Sequence, residues 1–424
     1  MKRLPIVVLF LLVTANGALA QTAPVRLTLD EAITRGIEAS HRLEELGARQ
    51  DAARAVEGQR EAAERPQLAA IASYTRTNHV EEFSVPNASG GLRVIYPDVP
   101  DNVRSRIDLQ WPIYTGGRLK ALTRAAGAEA EAAGQDRESA RADLKLEITR
   151  AFWAVITARA SVVVVRQALD RTTAHLTDVR NQLSVGLVPP SDVLSIEAQD
   201  ARQRMLHIEA ENILETTAAE FKRLVGVGPD VEVELVGPTN MGVPAEKSIP
   251  SAQPFKVLIG QARASGPERK SLLFRIAAAE ERVAAASAGS LPVVTAIGGY
   301  DLARPNPRIF PIQEKWKPSW DIGVNVRWSL FDGGRVRAET AEAAANRRAV
   351  EARLRDFDSI IDVEIRQRMA DLRSASASIE AAEAGVRAAM EARRVLAERF
   401  SAGVATNTDV LTAQTTLLQA ELDL

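Results

Sequence analysis

The sequence predicts a mainly α-helical chain made by tandem duplication, each half supplying two membrane-crossing β-strands and long coiled-coil helices. Three observations carry that class. First, two motifs recur in one register. IDLQWPIYTGGR at 107–118 matches VNVRWSLFDGGR at 324–335, and LSVGLVPPSDVL at 183–194 matches FSAGVATNTDVL at 400–411, both at a spacing of 217 residues. Second, no proline interrupts 118–184 or 335–402, so each can run as one helix of roughly 100 Å at about 1.5 Å per residue. Third, the segments just before those helices alternate apolar and polar residues with period two, the pattern of strands with one wet face.

Composition removes several function classes. The 424 residues are 25% charged and only 4% aromatic, with no cysteine. Without cysteine there is no disulfide scaffold, thiolate metal site, cysteine nucleophile or lipid-anchored N-terminus. Basic and acidic residues balance at 53 against 55, whereas a nucleic-acid partner would call for a basic excess. Few aromatics would fill globular cores poorly, so an elongated architecture is expected.

The N-terminus reads as a secretory signal peptide, residues 1–20. Lys2 and Arg3 precede an apolar run from Leu4 to Val13, and Ala18, Leu19 and Ala20 give a small-x-small cleavage site. Ten apolar residues are too few to cross about 30 Å of hydrocarbon as a helix. No later run is long and unbroken enough either, since Arg159 interrupts the apolar stretch around Phe152. An exported chain of this kind can still cross an outer membrane as a β-barrel.

Strands are predicted at 68–79, 104–114, 293–304 and 320–331. In the second, Ile107, Leu109, Trp111 and Ile113 alternate with Arg106, Asp108 and Gln110; in the fourth, Ile322, Val324, Val326, Trp328 and Leu330 alternate with Asp321, Gly323, Asn325, Arg327 and Ser329. Of the Trp and Tyr residues only Trp153 falls on a predicted helix; Tyr74, Tyr96, Trp111, Tyr114, Tyr300, Trp316, Trp320 and Trp328 lie in or beside strands, as a membrane-interface girdle requires. A weaker repeat aligns 65–74 with 291–300 at a spacing of 226. The links 79–104 and 304–320, rich in Pro, Asn and Gly, are expected to be exposed loops, giving two hairpins. Four strands cannot close a barrel, and an open edge cannot face lipid, so the chain must oligomerise.

In the second long helix Ile365, Leu372, Ile379 and Val386 recur every seven residues, with Ala375, Ala382, Ala389 and Leu396 three places on, a coiled-coil seam of one large and one small row. After Pro189 and Pro190 a helix is expected over 191–225 with Ser191 as its cap, and Thr408 in the matching role. The pairs Gly116, Gly117 and Gly333, Gly334 stand where a strand must turn into a helix, and glycine tolerates the backbone angles needed. The domain reading is a first repeat over 21–226, a Pro- and Gly-rich linker and equatorial region over 227–256 with a short strand at 231–236, and a second repeat over 257–424. Leu424 aligns with His207, so the last helix is expected to stop some eighteen residues short of its counterpart.

These features, above all the duplication, the aromatic-x-GGR junctions and the G-x-x-x-x-x-DVL turns, resemble the TolC-like outer membrane efflux proteins over nearly the whole chain after residue 20. The resemblance implies a homotrimer whose twelve strands form one barrel in outer membrane lipid, continued by a periplasmic α-helical barrel. It implies a periplasmic adaptor protein and an inner-membrane transporter as partners, and an exit duct for a tripartite efflux pump or a type I secretion system. It places the turns Gly186, Leu187, Val188 and Gly403, Val404, Ala405 at the inner tip, in contact with the adaptor. Asp409 matches an acidic entrance ring, where three carboxylates would raise one another's pKa, and Asp192 matches an acidic member of a polar latch. The latch cannot form as in the family, because its basic position is Ala405, its tyrosine position Phe400 and its second acidic position Thr412. Closure is then left to packing near Val404 and Leu411 or to other pairs. An Asp near a helix start also favours the positive helix end, so capping competes with the ring as an account of Asp192 and Asp409.

No enzyme is assigned. His41, His79, His175 and His207 show no metal-ligand spacing and read as surface residues, and no Gly-rich phosphate loop follows a strand, so neither metal nor cofactor is expected. The competing class is a structural coiled-coil protein of the envelope without a channel.

Overall fold

The structure, a computed structural model, describes residues 25–237 and 254–424. The expected signal segment and residues 238–253 of the linker lie outside the described residues. In chain order the elements are β1 (Val25–Leu27), α1 (Leu29–Glu38), α2 (His41–Ala62), β2 (Gln67–Arg76), β3 (Phe83–Pro86), β4 (Leu92–Tyr96), β5 (Asp101–Tyr114), α3 (Arg118–Ser184) and α4 (Pro190–Leu224). The second half follows with β6 (Val233–Leu235), α5 (Phe255–Ser265), α6 (Pro267–Ser287), β7 (Val293–Arg304), β8 (Lys317–Arg327), α7 (Arg335–Ser401) and α8 (Asn407–Asp423). The long helices α3 and α7 are 67 residues each.

Contacts divide the chain into two compact units, and α3 and α7 contribute to both. Of the described residues, one unit takes 25–40, 144–237 and 377–424. Its core is built from apolar positions three and four apart on α3 and α4: Leu176, Val179, Val193 and Ile196 are buried together, with Leu183, Val188, Phe400 and Leu411 packed on them. Further along, Val165 and Ala168 meet Leu418 of α8, and Phe152 meets Phe221 edge-on at 6.1 Å. Each large side chain buried this way contributes about 1.5–3 kcal/mol. One stretch of α3 passes for a membrane span by length and composition, with mean hydropathy 1.6. Its helix buries Ile148, Phe152, Val155 and Val165 within the chain, while Trp153 and Val163 stay exposed. Strand β6 falls inside the expected short strand and pairs in parallel with β1, which the sequence reading did not foresee.

The other unit takes described residues 41–143 and 254–376. Small buried residues, Ala121, Ala125, Ala278, Ala279 and Ala285, let α3 and α6 approach, and ion pairs tie the flanks, such as Arg124 to Glu281 at 2.7 Å and Arg269 to Asp358 at 2.8 Å. The unit carries an antiparallel sheet in the order β2-β5-β7-β8. Pairing runs through Tyr74↔Val103, Ile107↔Tyr300 and Tyr300↔Trp320.

Several expectations need correction. The link 79–104 is not a plain loop: it holds the hairpin β3–β4, which includes Tyr96. The fourth strand is shifted, because β8 ends at Arg327 and Trp328–Phe331 are left unpaired beside a free edge. Helix α4 starts at Pro190 with Pro189 as its N-cap and no side-chain cap, so Ser191 does not cap it; the ring of Pro190 presets the first helical turn instead. Helix α8 is capped by Thr406, two residues before Thr408. The coiled-coil seam on α7 is not closed within the chain: Ala389 is buried, but Leu372 and Ile379 are 50% and 39% exposed.

Candidate functional site

The two tip turns are built alike. At the end of α3, Gly186 takes φ 78° and its N–H reaches Leu183 O at 2.9 Å, while the Leu187 N–H reaches Gln182 O at 2.9 Å. At the end of α7, Gly403 takes φ 73° and bonds Phe400 O at 2.9 Å, while Val404 bonds Arg399 O at 2.8 Å. This double closure satisfies the last carbonyls of each helix and demands a left-handed residue, which is why both turns carry glycine. Leu187 and Val404 stand 74% and 67% exposed, whereas Val188 packs on the core below and Ala405 is half-buried. Within the chain Leu411 packs on the core of α3 and α4, and Val404 is exposed.

Asp409 sits three residues after the cap of α8. Its Oδ2 accepts from the Thr406 hydroxyl at 2.7 Å and from the Thr406 N–H at 2.9 Å, and the Asp409 N–H donates back to the Thr406 hydroxyl. These bonds hold its carboxyl below the ordinary carboxylate range, with the Thr406 hydroxyl the largest cause. Asp192, half-buried in the first turn of α4, is engaged through its backbone: its carbonyl accepts from Asn407 Nδ2 at 3.2 Å.

Asn407 is the residue that sequence reasoning missed. It is 3% exposed, and its Oδ1 lies 2.9 Å from Nε2 of His175. Since its Nδ2 donates to Asp192, its Oδ1 must accept, which places a proton on His175 Nε2. His175 is therefore no surface residue: it is paired here and meets the Phe400 ring edge-on at 5.4 Å. His207, with a side chain only 19% exposed beside Glu211, departs from the surface reading as well. Further along α8, Gln414 accepts from the Thr172 hydroxyl at 3.3 Å and Glu421 takes Arg171 at 2.7 Å. Together these contacts form a polar ladder that holds α8 to α3. Its only sequence signal is a row of polar residues on helix faces that otherwise look solvated.

The strand-to-helix junctions place Gly116 and Gly117 at φ 63° and 84°, and Gly333 and Gly334 at 67° and 87°, all in the left-handed region that favours glycine. Asp332 reinforces the second junction by accepting from Gly334 N at 2.9 Å and Val336 N at 3.0 Å.

The sheet has two unlike faces. Cross-strand partners place Leu109, Ile107, Gly298, Tyr300, Trp320 and Ile322 on one side, with Trp320 72% and Ile322 80% exposed, an apolar surface suited to lipid. The other side carries an ion-pair network. Arg106 grips Asp321 through Nη1 at 2.9 Å and Nη2 at 3.1 Å and Asp108 through Nε at 2.6 Å, and Arg104 Nε reaches Asp301 at 2.9 Å. Gly299 makes the room: a Cβ there would lie 2.1 Å from Arg106 Nη2. Such paired charges need water or each other, never hydrocarbon, so this face belongs to an aqueous interior.

Known proteins match this architecture. The chain is 27% identical over 325 residues to Protein CyaE of Bordetella pertussis, covering 76% of this chain and 67% of that protein. It is 21% identical over 279 residues to the fusaric acid resistance protein FusA of Burkholderia cepacia, covering 62% of this chain and 51% of FusA. Its fold superposes on the crystal structure of the outer membrane protein VceC of Vibrio cholerae with a TM-score of 0.76 at 21% identity, over 93% of this chain and 91% of VceC. Residues 33–227 and 258–424 match the profile of the outer membrane efflux protein family, and the chain belongs to that family.

Proposed function

We propose that three copies of this outer membrane efflux protein assemble into one twelve-stranded barrel continued by a periplasmic helical duct. The observation that carries the reading is the sheet: a lipid-suited outer face, a charged inner face, and both edges, β2 and β8, without a partner in the described chain. An unpaired edge is not tolerated in hydrocarbon, so closure must come from other copies. Repeats over 21–226 and 257–424 supply equivalent parts of the wall, joined by the linker 227–256. The tip turns Gly186–Val188 and Gly403–Ala405 offer their exposed apolar residues to a periplasmic adaptor, which couples the duct to an inner-membrane transporter. Asp409, with Asp192 behind it, rims the entrance with negative charge. The duct serves an efflux pump or a type I secretion system, and both Protein CyaE and a fusaric acid resistance protein are among its relatives.

The duct is passive, and nothing among the described residues calls for bond chemistry. A structural envelope protein without a channel leaves the two-faced sheet unexplained. Purified in detergent, the chain should run at three times its monomer mass and give discrete conductance steps in planar bilayers. A monomer or dimer in detergent, or a trimer that never conducts, would refute the reading.

A further inference from the structure

The duplication fixes the contact between copies more closely than the closure argument does. Elements before the first link of each half stand 226 residues apart: α1 and α5 begin at Leu29 and Phe255, α2 and α6 at His41 and Pro267, β2 and β7 at Gln67 and Val293. Elements after that link stand 217 apart: α3 and α7 begin at Arg118 and Arg335, α4 and α8 at Pro190 and Asn407. The change reflects nine extra residues in the first link, which holds β3 and β4. The two hairpins obey both spacings at once, since Tyr74↔Val103 in the first becomes Tyr300↔Trp320 in the second. Their registers are therefore the same.

Within the chain the halves are joined by β5 pairing with β7, through Ile107↔Tyr300, Leu109↔Gly298 and Trp111↔Ala296. The repeat equivalents of β5 and β7 are β8 and β2, the two free edges. Resting on the trimeric reading above, we infer that β8 of each copy pairs antiparallel with β2 of the next in the register Val324↔Tyr74, Val326↔Ala72 and Trp328↔Ala70.

Two features of the chain match this seam. Trp111 to Tyr114 are paired strand, but their equivalents Trp328 to Phe331 are unpaired, with Leu330 81% and Phe331 90% exposed. In the assembly β8 gains those residues as strand, against Leu68 to Ala70 of the next copy. Likewise, a Cβ on Gly116 would meet Leu291 Cβ at 2.8 Å and Ala288 O at 3.1 Å, while a Cβ on its equivalent Gly333 would meet nothing within 4 Å. The spacing of 226 puts Arg65 and Ala62 of the next copy into that open space. The transferred register also keeps the faces consistent: Val324, Val326, Tyr74 and Ala72 fall on the apolar side, and Asn325↔Ser73 and Gly323↔Thr75 on the inner side. The Arg106–Asp301 ion pair of the internal seam has only Gly323 and Thr75 as its equivalents. The seam between copies thus lacks that ion pair and is held by ladder hydrogen bonds, apolar contact on the outer face and the polar Asn325–Ser73 pair on the inner face.

The chain has no native cysteine, so paired cysteines report the register directly. The variants Val326→Cys with Ala72→Cys, and independently Asn325→Cys with Ser73→Cys, should form covalent dimers and trimers on oxidation or with a short membrane-permeant thiol cross-linker. Each single-cysteine variant should stay uncoupled. Pairing Val326→Cys with Ala70→Cys or Tyr74→Cys, a slip of two residues, should couple several-fold more weakly, because diagonal neighbours are about 7–8 Å apart. Native mass in detergent is measured on every variant. A trimer whose slipped pairs couple best, or in which no pair couples, overturns the register and leaves the trimeric reading standing. A monomer from the cysteine-free chain overturns both.

Discussion

Replacing Asn407 by alanine tests whether the polar ladder holds the tip shut. Asn407 is 3% exposed and makes two contacts across helices, to His175 at 2.9 Å and to the Asp192 carbonyl at 3.2 Å. A neutral hydrogen bond contributes about 1 kcal/mol, and a buried partner left unsatisfied costs about 1–3 kcal/mol. The substitution removes both bonds and strands His175 Nε2, which is only half-exposed, so the docking of α8 should weaken by about 2–3 kcal/mol. At about 1.4 kcal/mol per factor of ten, 2 kcal/mol raises the undocked population roughly thirtyfold. Two assays read it: tryptic cleavage at the exposed Arg399 should accelerate, and single channels in planar bilayers should show larger or more frequent openings. His175→Ala should reproduce most of the effect, and the double variant should add little, since both changes break one contact. A folded Asn407→Ala trimer with unchanged cleavage and conductance would show that the ladder does not hold the tip.

Asp409→Asn should lower cation selectivity and weaken block by multivalent cations in bilayers; unchanged values would leave helix capping as the sole role of Asp409. Because the fold depresses its pKa, the contribution of Asp409 to the cap is complete above the ordinary carboxylate range and is lost as pH falls through the depressed value, so tip proteolysis should rise only in that acidic window. Gly186→Ala and Gly403→Ala meet no neighbour within 4 Å, so each should cost only the left-handed backbone penalty of about 1–2 kcal/mol, measured as equal drops in the thermal midpoint. Gly299→Val should displace the Arg106 guanidinium from Asp321 and lower trimer yield or alter conductance, whereas Gly323→Ala, whose nearest neighbour would stand at 3.6 Å, should do neither.

The sequence by itself determined the duplication, the class of each major element and the ends of the long helices. α3 begins at Arg118 and ends at Ser184 as read, and β7 spans Val293–Arg304 as read, because helix periodicity, absent prolines and paired glycines are local signals. The four glycines of the junctions were legible for the same reason: a left-handed turn admits few other residues. What tertiary structure decided are contacts between residues far apart in sequence. Whether Thr406 or Thr408 caps α8 depends on which hydroxyl reaches the Asp409 N–H, and composition is the same for both. The pairing of His175 with Asn407, 232 positions away, and the Arg106–Asp321 grip, 215 away, leave no periodic trace, since an isolated polar residue looks alike whether it faces water or a partner. The end of β8 follows the same logic: its alternation continues to Leu330, but a strand exists only where a neighbour supplies the ladder, β7 begins at Val293 opposite Arg327, and no strand of the described chain lies on the other edge.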